Sequence, residues 1–228
     1  CLGTPVVRTD AAALWATSQT WWQIPPITRV ELSGKLKKGV TGKDVIISLC
    51  GIYNQDEVLN HVLEFVGDGI KHLSLDERLT IANMTTEWGA LAGVFPIDGV
   101  TMQWLQNRSE IIKNRGLEDV PSDTDGINEK HPRMNEENIH ALINEGLKAD
   151  KDAFYLQEIK LDLNTISPHI SGPNHVKIMT NVHDAEKKEI KINKAYLVSC
   201  VNSRVDDLTA AANVVKNKQI APHVEFYI

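Results

Sequence analysis

The segment 195–228 constrains the fold more than any other part of the sequence. The pattern of apolar residues predicts a strand over 195–199, a helix over 206–215 and a second strand over 224–228. Two strands joined by one helix over so short a stretch form a βαβ unit, with parallel strands and a right-handed crossover. Parallel strands are normally covered by helices on both faces, so this segment predicts an α/β fold with a mostly parallel sheet.

A cysteine follows the first of these strands directly. Cys200 stands at the carboxyl end of the predicted strand 195–199, and Asn202 comes two positions later. Functional groups of open α/β sheets collect at the carboxyl ends of parallel strands, and a thiolate there can be a ligand for iron or zinc. On position alone, a buried and inert cysteine is an equally good interpretation.

Composition excludes several classes of partner. The chain has 228 residues, of which 24% are charged and 42% hydrophobic, as expected for a soluble protein of one or two domains. A formal net charge of −6 argues against a surface that binds nucleic acid. No apolar run approaches the ~20 residues that a membrane-spanning helix needs. We therefore expect neither nucleic acid nor a membrane as a partner.

The cysteines are too few and too widely spaced for a disulfide framework. Cys1, Cys50 and Cys200 contain no C-x-x-C pair, which favours a reducing compartment. Three thiols could ligate three irons of a cubane cluster, but Cys50 lies in a predicted buried helix and Cys1 stands at a chain end. The chain begins with Cys1 rather than Met and shows no leader, so we expect it to be a piece of a longer protein.

A second group of polar residues lies on a predicted helix. Ser74 and Glu77 form a capping box, which predicts a helix that runs to about Gly89. Asn83 and Glu87 are four positions apart, so they would project from one face of that helix. An amide beside a carboxylate can orient a hydroxyl group or a metal-bound water. A solvated helix face is nevertheless the commoner explanation of an arbitrary pair of this kind.

Taken together, these segments resemble the aconitase superfamily. Residues 199–203 are similar to its S-C-T-N-S element with valine in place of threonine, residues 83–90 to N-M-x-x-E-x-G-A, and residues 168–173 to P-H-[IV]-[NS]-G-P. Residues 41–46 are similar to a helix start of the family. The resemblance extends along essentially the whole chain.

The resemblance implies a fold and a division into domains. It implies aconitase-like three-layer α/β/α domains with mostly parallel sheets, incomplete at both ends. Residues 1–26 would be the tail of a first domain and residues 27–164 a second domain with a polar excursion near 114–138. Residues 165–228 would be the opening βαβ unit of a third domain.

The resemblance also implies the roles of individual residues. Cys200 would hold one iron of a four-iron–four-sulfur cluster, and Asn202 would belong to the same cofactor site. Asn83 would lie against the cluster, and Glu87 would reach the iron-bound hydroxyl or water. For His169, inside the motif at 168–173, a structural role in shaping its loop is the favoured interpretation.

The function implied is that of a hydro-lyase acting on a tricarboxylic acid. The likeness is strongest to the fungal branch that interconverts homoisocitrate and cis-homoaconitate in lysine biosynthesis by the α-aminoadipate route, in the mitochondrial matrix. The remaining domains of the same enzyme would be partners, and the chain alone is predicted to hold no intact cluster and to be inactive. Alternatives are an aconitase, the large subunit of an isopropylmalate isomerase, or a non-catalytic α/β binding protein.

Overall fold

The structure, a computed structural model, describes residues 2–3, 6–21, 23–115, 131, 134–144, 148–199 and 201–228. Its strands are β1 (Leu2–Gly3), β2 (Ile27–Ser33), β3 (Val62–Val66), β4 (Ala92–Val94), β5 (Gln157–Asp162), β6 (His169–Ser171), β7 (Met179–Asn181), β8 (Lys194–Tyr196) and β9 (Glu225–Tyr227). Its α-helices are α1 (Arg8–Thr17), α2 (Gly42–Ile52), α3 (Leu75–Asn83), α4 (Thr85–Trp88), α5 (Gly99–Arg115), α6 (Glu136–Asn144), α7 (Val182–Glu186) and α8 (Val205–Val215). Most of the polar excursion predicted near 114–138 lies outside the described residues, as do Cys1 and Cys200.

A mostly parallel sheet forms the centre of the molecule. Its strand order is β1-β4-β3-β2-β5, with β2 parallel to both β3 and β5 and with β4 parallel to β3. Only β1 runs antiparallel, along β4. Both a mixed α/β class and a mostly parallel sheet were predicted, and both are confirmed.

The two faces of this sheet have opposite chemistry because side chains alternate along a strand. On one face, Val30 lies opposite Phe65 and Leu32 opposite Leu161, and all four side chains are buried in the core. The core continues into α2, in which eight of the 11 residues are buried. On the other face, the Arg29 guanidinium forms ion pairs with Glu31 and Glu158. The core and the buried helix α2 therefore lie on the apolar face of the sheet.

The turn after β3 requires a glycine. Gly67 has a φ of 100°, a conformation that side-chain-bearing residues rarely adopt. A Cβ atom at this position would lie 2.2 Å from the carbonyl oxygen of Leu32. Because Gly67 has no side chain, the chain can pass close to Leu32 of β2 as it leaves β3 and turns towards α3.

The helices that flank the core begin at the predicted capping residues. The backbone N–H of Thr41 donates to the Asp44 carboxylate (2.8 Å) at the start of α2. At the start of α3, the N–H of Ser74 donates to Glu77 (2.8 Å) and the N–H of Glu77 donates to the Ser74 hydroxyl (3.2 Å). The capping boxes confirm the helix starts that the sequence predicts.

A buried arginine ties α3 to the start of α5. The side chain of Arg78 is fully buried, and its Nη1 and Nη2 donate to the two carboxylate oxygens of Asp98 (2.7 and 2.8 Å). Nη2 also donates to the carbonyl of Ile70 (2.7 Å), which precedes α3. Because α3 carries Asn83 at its end, this bidentate contact helps to set where that residue lies.

The βαβ unit predicted at 195–228 is present. Strands β8 and β9 are parallel, with Ala195 opposite Phe226, and α8 connects them. The first strand is shorter than predicted, since it ends at Tyr196 where its partner strand also ends. Residues 197–199 therefore form an irregular link, and the prediction of a strand that runs directly into Cys200 was wrong.

The domain boundaries predicted at residues 26 and 164 stay predictions. Strands β2 to β5 lie between them, and β1 joins the edge of the same sheet through β4. The pairs β6–β7 and β8–β9 form sheets of their own. Among the described residues, no helix is long and apolar enough to cross a membrane.

Candidate functional site

Asn83 and Glu87 lie on two short helices and not on one. Asn83 is the last residue of α3, Glu87 is in α4, and Met84 between them has a ψ of 4° that leaves the helical region. The Thr85 hydroxyl donates to the Ala82 carbonyl (2.8 Å), which stabilises the break. The single helix predicted to run to about Gly89 was therefore wrong at this point. Both Asn83 and Glu87 are exposed, as residues that meet a ligand must be.

The helix that carries Glu87, α4, packs on α2, which carries Cys50. Burial, and after it the negative charge of Glu87, raises the pKa of the Cys50 thiol to about 12, while the charge of Lys177 acts in the opposite direction. Lys177 comes from the loop between β6 and β7, and its ammonium group donates to Asp56 (2.7 Å). The charges of Glu87 and Lys177 thus both act on Cys50 in α2, with opposite effects on its pKa.

Cys50 is expected to be chemically inert. It is fully buried in α2, and with a pKa of about 12 the thiolate fraction near neutral pH is negligible. In a chain with Cys1→Ser and Cys200→Ser, we expect a disulfide reagent such as Ellman's reagent to label Cys50 very slowly in the native state and rapidly in urea. Rapid labelling of the native chain would contradict the buried position of this thiol.

The residues on either side of position 200 are hydrogen-bonded to each other, while Cys200 itself lies outside the described residues. The backbone N–H of Val201 donates to the Ser199 hydroxyl (2.9 Å). Ser199 has a φ of 156°, outside the range of an ordinary strand. Val201 is 5% exposed and belongs to the apolar core. The valine that replaces the family's threonine is therefore accommodated by packing.

Asn202 has a buried oxygen without a partner. Its Nδ2 donates to the Asp207 carboxylate (3.2 Å), whereas its Oδ1 accepts no hydrogen bond from the described part of the chain. A buried amide oxygen normally accepts a hydrogen bond or contacts a cation. Asn202 therefore fits a cofactor site beside a metal or a hydroxyl donor, but not beside a sulfide, which is itself an acceptor.

The loop 201–204 packs on α3. The Thr80 hydroxyl, which is buried in the middle of that helix, donates to the carbonyl of Val201 (3.3 Å). Asn83 stands three residues further along the same helix. The described contacts thus join the neighbourhood of Asn202 to the helix of Asn83, while the charge of Glu87 acts on the Cys50 thiol in α2.

A cleft of about 460 Å³ opens next to this helix end. Met84, which follows Asn83, lines it together with His169 and the charged residues Lys43 and Asp44. The backbone N–H of His169 donates to Asp44 (2.9 Å), and its ring is hydrogen-bonded to the carbonyl of Ser167. These contacts hold the loop at 167–171 against α2, as the structural role predicted for His169 requires.

Sequence reasoning did not identify two charged residues of this region. Lys177 has no spacing that links it to Glu87, because the two come from segments about ninety positions apart that only the fold brings together. Arg204 directly follows the motif at 199–203, and its guanidinium contacts α3. Proximity to the motif was the one signal that could have drawn attention to Arg204.

The described residues do not supply a complete metal site. Among them, no group of three or more His, Cys, Asp or Glu side chains is arranged to hold a metal ion. Cys50 is the cysteine that the structure describes, and its protonated, buried thiol is not available as a ligand. A cluster at this place would need Cys200 and thiolates from elsewhere.

A mostly parallel sheet, together with the motifs at 83–90, 168–173 and 199–203, is typical of an enzyme of the aconitase type. A model of the Aconitase family (aconitate hydratase) matches residues 1–228, and the chain belongs to this family. The resemblance read from the motifs is thereby confirmed. Membership implies a four-iron–four-sulfur cluster in the complete enzyme.

The chain is similar along its whole length to fungal proteins named mitochondrial homoaconitase. It is 57% identical to that of Yarrowia lipolytica over 228 residues, which cover 100% of this chain and 31% of the relative. It is 55% identical to the homoaconitases of Candida albicans and Mycosarcoma maydis, with the same coverage. The chain therefore spans about a third of the length of the curated relatives that it matches.

Proposed function

We propose that this chain is part of a homoaconitase, a hydro-lyase that interconverts homoisocitrate and cis-homoaconitate in lysine biosynthesis by the α-aminoadipate route. The observation that carries the proposal is the identity of 51–57% to homoaconitases along the chain. Because those relatives are named mitochondrial, we place the enzyme in the mitochondrial matrix.

In this proposal, four residues of the chain belong to the site. Cys200 holds one iron of the four-iron–four-sulfur cluster, and Asn202, whose buried side-chain oxygen accepts no hydrogen bond from the described residues, belongs to the same cofactor site. Asn83 lies against the cofactor from the end of α3. Glu87, whose side chain is exposed, reaches the iron-bound hydroxyl or water with its carboxyl group.

The reaction requires one proton to leave carbon and another to reach the leaving hydroxyl. In the dehydration direction, the C–H bond and the C–O bond both break, and a double bond forms between the two carbons. The bound cluster supplies a Lewis acid for the substrate hydroxyl and carboxylate. Glu87 gives its proton to the departing hydroxyl, which leaves as water, and takes it back in hydration. The base that removes the carbon-bound proton, a serine in this family, comes from a part of the enzyme outside this chain.

The other partners are the substrate, a tricarboxylic acid, and the remaining domains of the enzyme. Large apolar side chains exposed on the segment 15–24 and on the β8–β9 sheet support contacts with those domains. Trp15, Trp21 and Ile24 are 86–93% exposed in this chain.

The proposal is tested with the complete enzyme that carries this chain. After iron–sulfur reconstitution, we expect homoisocitrate to be dehydrated with a higher kcat/KM than isocitrate or 3-isopropylmalate. A preference for isocitrate would assign an aconitase, and a preference for 3-isopropylmalate an isomerase of leucine biosynthesis. No turnover of any of the three by a protein that has a full cluster would favour a non-catalytic role.

The isolated chain gives a second test. Because its described residues hold no complete ligand set, we expect no cluster absorbance in the visible range and no dehydratase activity after reconstitution. A cluster band in the isolated chain that disappears in Cys200→Ser would contradict this expectation, although it would support the role of Cys200.

A further inference from the structure

One arginine side chain connects the loop after position 200 with the helix that carries Asn83. Arg204 ends that loop and precedes the first residue of α8. Its Nε forms an ion pair with the carboxylate of Asp76 (3.2 Å), in the first turn of α3. Its Nη1 donates to the Val201 carbonyl (2.7 Å) and lies within hydrogen-bond distance of the Thr80 hydroxyl (3.3 Å).

These contacts reach two successive turns of α3 and the loop at the same time. Nη1 also lies 3.4 Å from the carbonyl oxygen of Asp76, so both the side chain and the backbone of that residue are engaged. Thr80 adds its own hydrogen bond to the Val201 carbonyl. A planar guanidinium can make several directed bonds at once, which the ammonium group of a lysine cannot reproduce.

The surroundings make the contacts stronger than an ordinary surface ion pair. The side chains of Arg204 and Asp76 are 28% and 26% exposed, and Thr80 and Val201 are almost fully buried. Exposed ion pairs contribute little to stability because water competes for both charges. Here the guanidinium is partly withdrawn from water and bonded to backbone carbonyls, which favours one fixed arrangement.

We infer that Arg204 is a positioning residue, which fixes the loop 201–204 in register with α3. The inference deepens the proposed function, on which it rests for its catalytic consequence. The loop carries Asn202, and α3 ends at Asn83. Arg204 holds the loop 201–204 and helix α3 together as one rigid unit. The distance between this loop, which follows Cys200, and the Asn83 side chain therefore stays constant.

Hydrogen exchange of the complete enzyme that carries this chain tests the positioning itself, and it can be measured without the cluster. We expect Arg204→Ala to speed the exchange of backbone amides in 201–204 and in the first turns of α3, but not in β2 or β3. Arg204→Lys keeps the charge and is expected to restore only part of the protection. Arg29→Ala is the matched control, since Arg29 also pairs with carboxylates but lies on the polar face of the sheet.

The complete enzyme tests the consequence for the site. Residues that orient a metal ligand without touching the metal typically change affinity or activity by 10- to 100-fold, so we expect kcat to fall about 10- to 100-fold in Arg204→Ala. We also expect an altered electron paramagnetic resonance spectrum of the reduced cluster. Arg29→Ala is expected to leave the spectrum and kcat unchanged.

The outcomes separate this inference from the proposed function. Unchanged exchange in 201–204, or a normal spectrum and kcat in Arg204→Ala beside a normal wild-type enzyme, would overturn the inference. A wild-type enzyme without a cluster signal or dehydratase activity would instead overturn the proposed function. Faster local exchange together with a changed spectrum, and partial rescue by Arg204→Lys, would support the positioning role.

Discussion

Replacing Glu87 by glutamine in the complete enzyme is expected to lower kcat about 100- to 10,000-fold, the usual contribution of a general acid. Glutamine keeps the size and hydrogen-bonding capacity of the side chain but has no proton to transfer to the leaving hydroxyl. Since Glu87 is exposed at the end of a short helix, the substitution should leave the fold intact. The measurement is a steady-state assay of homoisocitrate dehydration.

Glu110→Gln is the matched control for this experiment. Glu110 is an exposed glutamate on α5, and its replacement is expected to leave both kcat and KM unchanged. An enzyme in which Glu87→Gln raises KM but not kcat would show that the carboxylate binds the substrate without transferring a proton. Full activity of Glu87→Gln would refute its role.

Replacing Asp98 by asparagine is expected to lower the free energy of unfolding by about 3 kcal/mol. The substitution leaves the guanidinium of Arg78 buried without a charged partner, and breaking one side of a buried ion pair typically costs 3–5 kcal/mol. We expect the lower end of that range because the Asp98 side chain is 27% exposed. Urea unfolding followed by circular dichroism measures the change.

Asp184→Asn provides the comparison at a solvated pair. Asp184 pairs with Lys187 on the surface, where both side chains are more than half exposed, so its loss should lower the free energy of unfolding much less than the loss of Asp98. Equal effects of the two substitutions would contradict the special contribution of the buried arginine.

The same ion pair predicts how stability depends on pH. Burial alone would raise the pKa of Asp98, but hydrogen bonds from Arg78 and Thr101 and the charge of Arg78 lower it below its ordinary value. A carboxyl group with a lowered pKa stabilises the folded state above its unfolded-state pKa of about 4, and this contribution is lost as the pH falls through the folded-state pKa. The stability difference between wild type and Asp98→Asn should therefore shrink below about pH 4.

The elements that sequence predicts well are those with local causes. The capping box at Ser74 and Glu77 needs only four consecutive residues, and it starts α3 where predicted. The parallel pair β8–β9 follows from the length of the helix between the strands. Family motifs add Asn83, Glu87, Cys200 and Asn202 as site residues, because a motif carries information from many related chains, and these roles stay predictions.

The remaining features depend on contacts between distant segments. The break at Met84 is stabilised by a hydroxyl-to-carbonyl bond that an uninterrupted helical pattern does not reveal. Lys177 approaches the Glu87 side of α2 only because the β6–β7 hairpin packs on that helix. The hydrogen bond from Arg204 to Asp76 joins two residues that are 128 positions apart in the sequence. No periodicity or spacing in the sequence contains such information.

The strand order of the central sheet also limits the order in which its strands can pair while the chain is being synthesised. Strands β2, β3 and β4 follow one another along the chain, whereas β5 reaches the free side of β2 from far downstream, as shown by the 129 positions between Arg29 and Glu158. During synthesis from the amino terminus, β2 stays an open edge until β5 emerges, and closing so long a loop is slow. The charged side chains of β2 then protect a nascent chain from pairing with a neighbour at the ribosome.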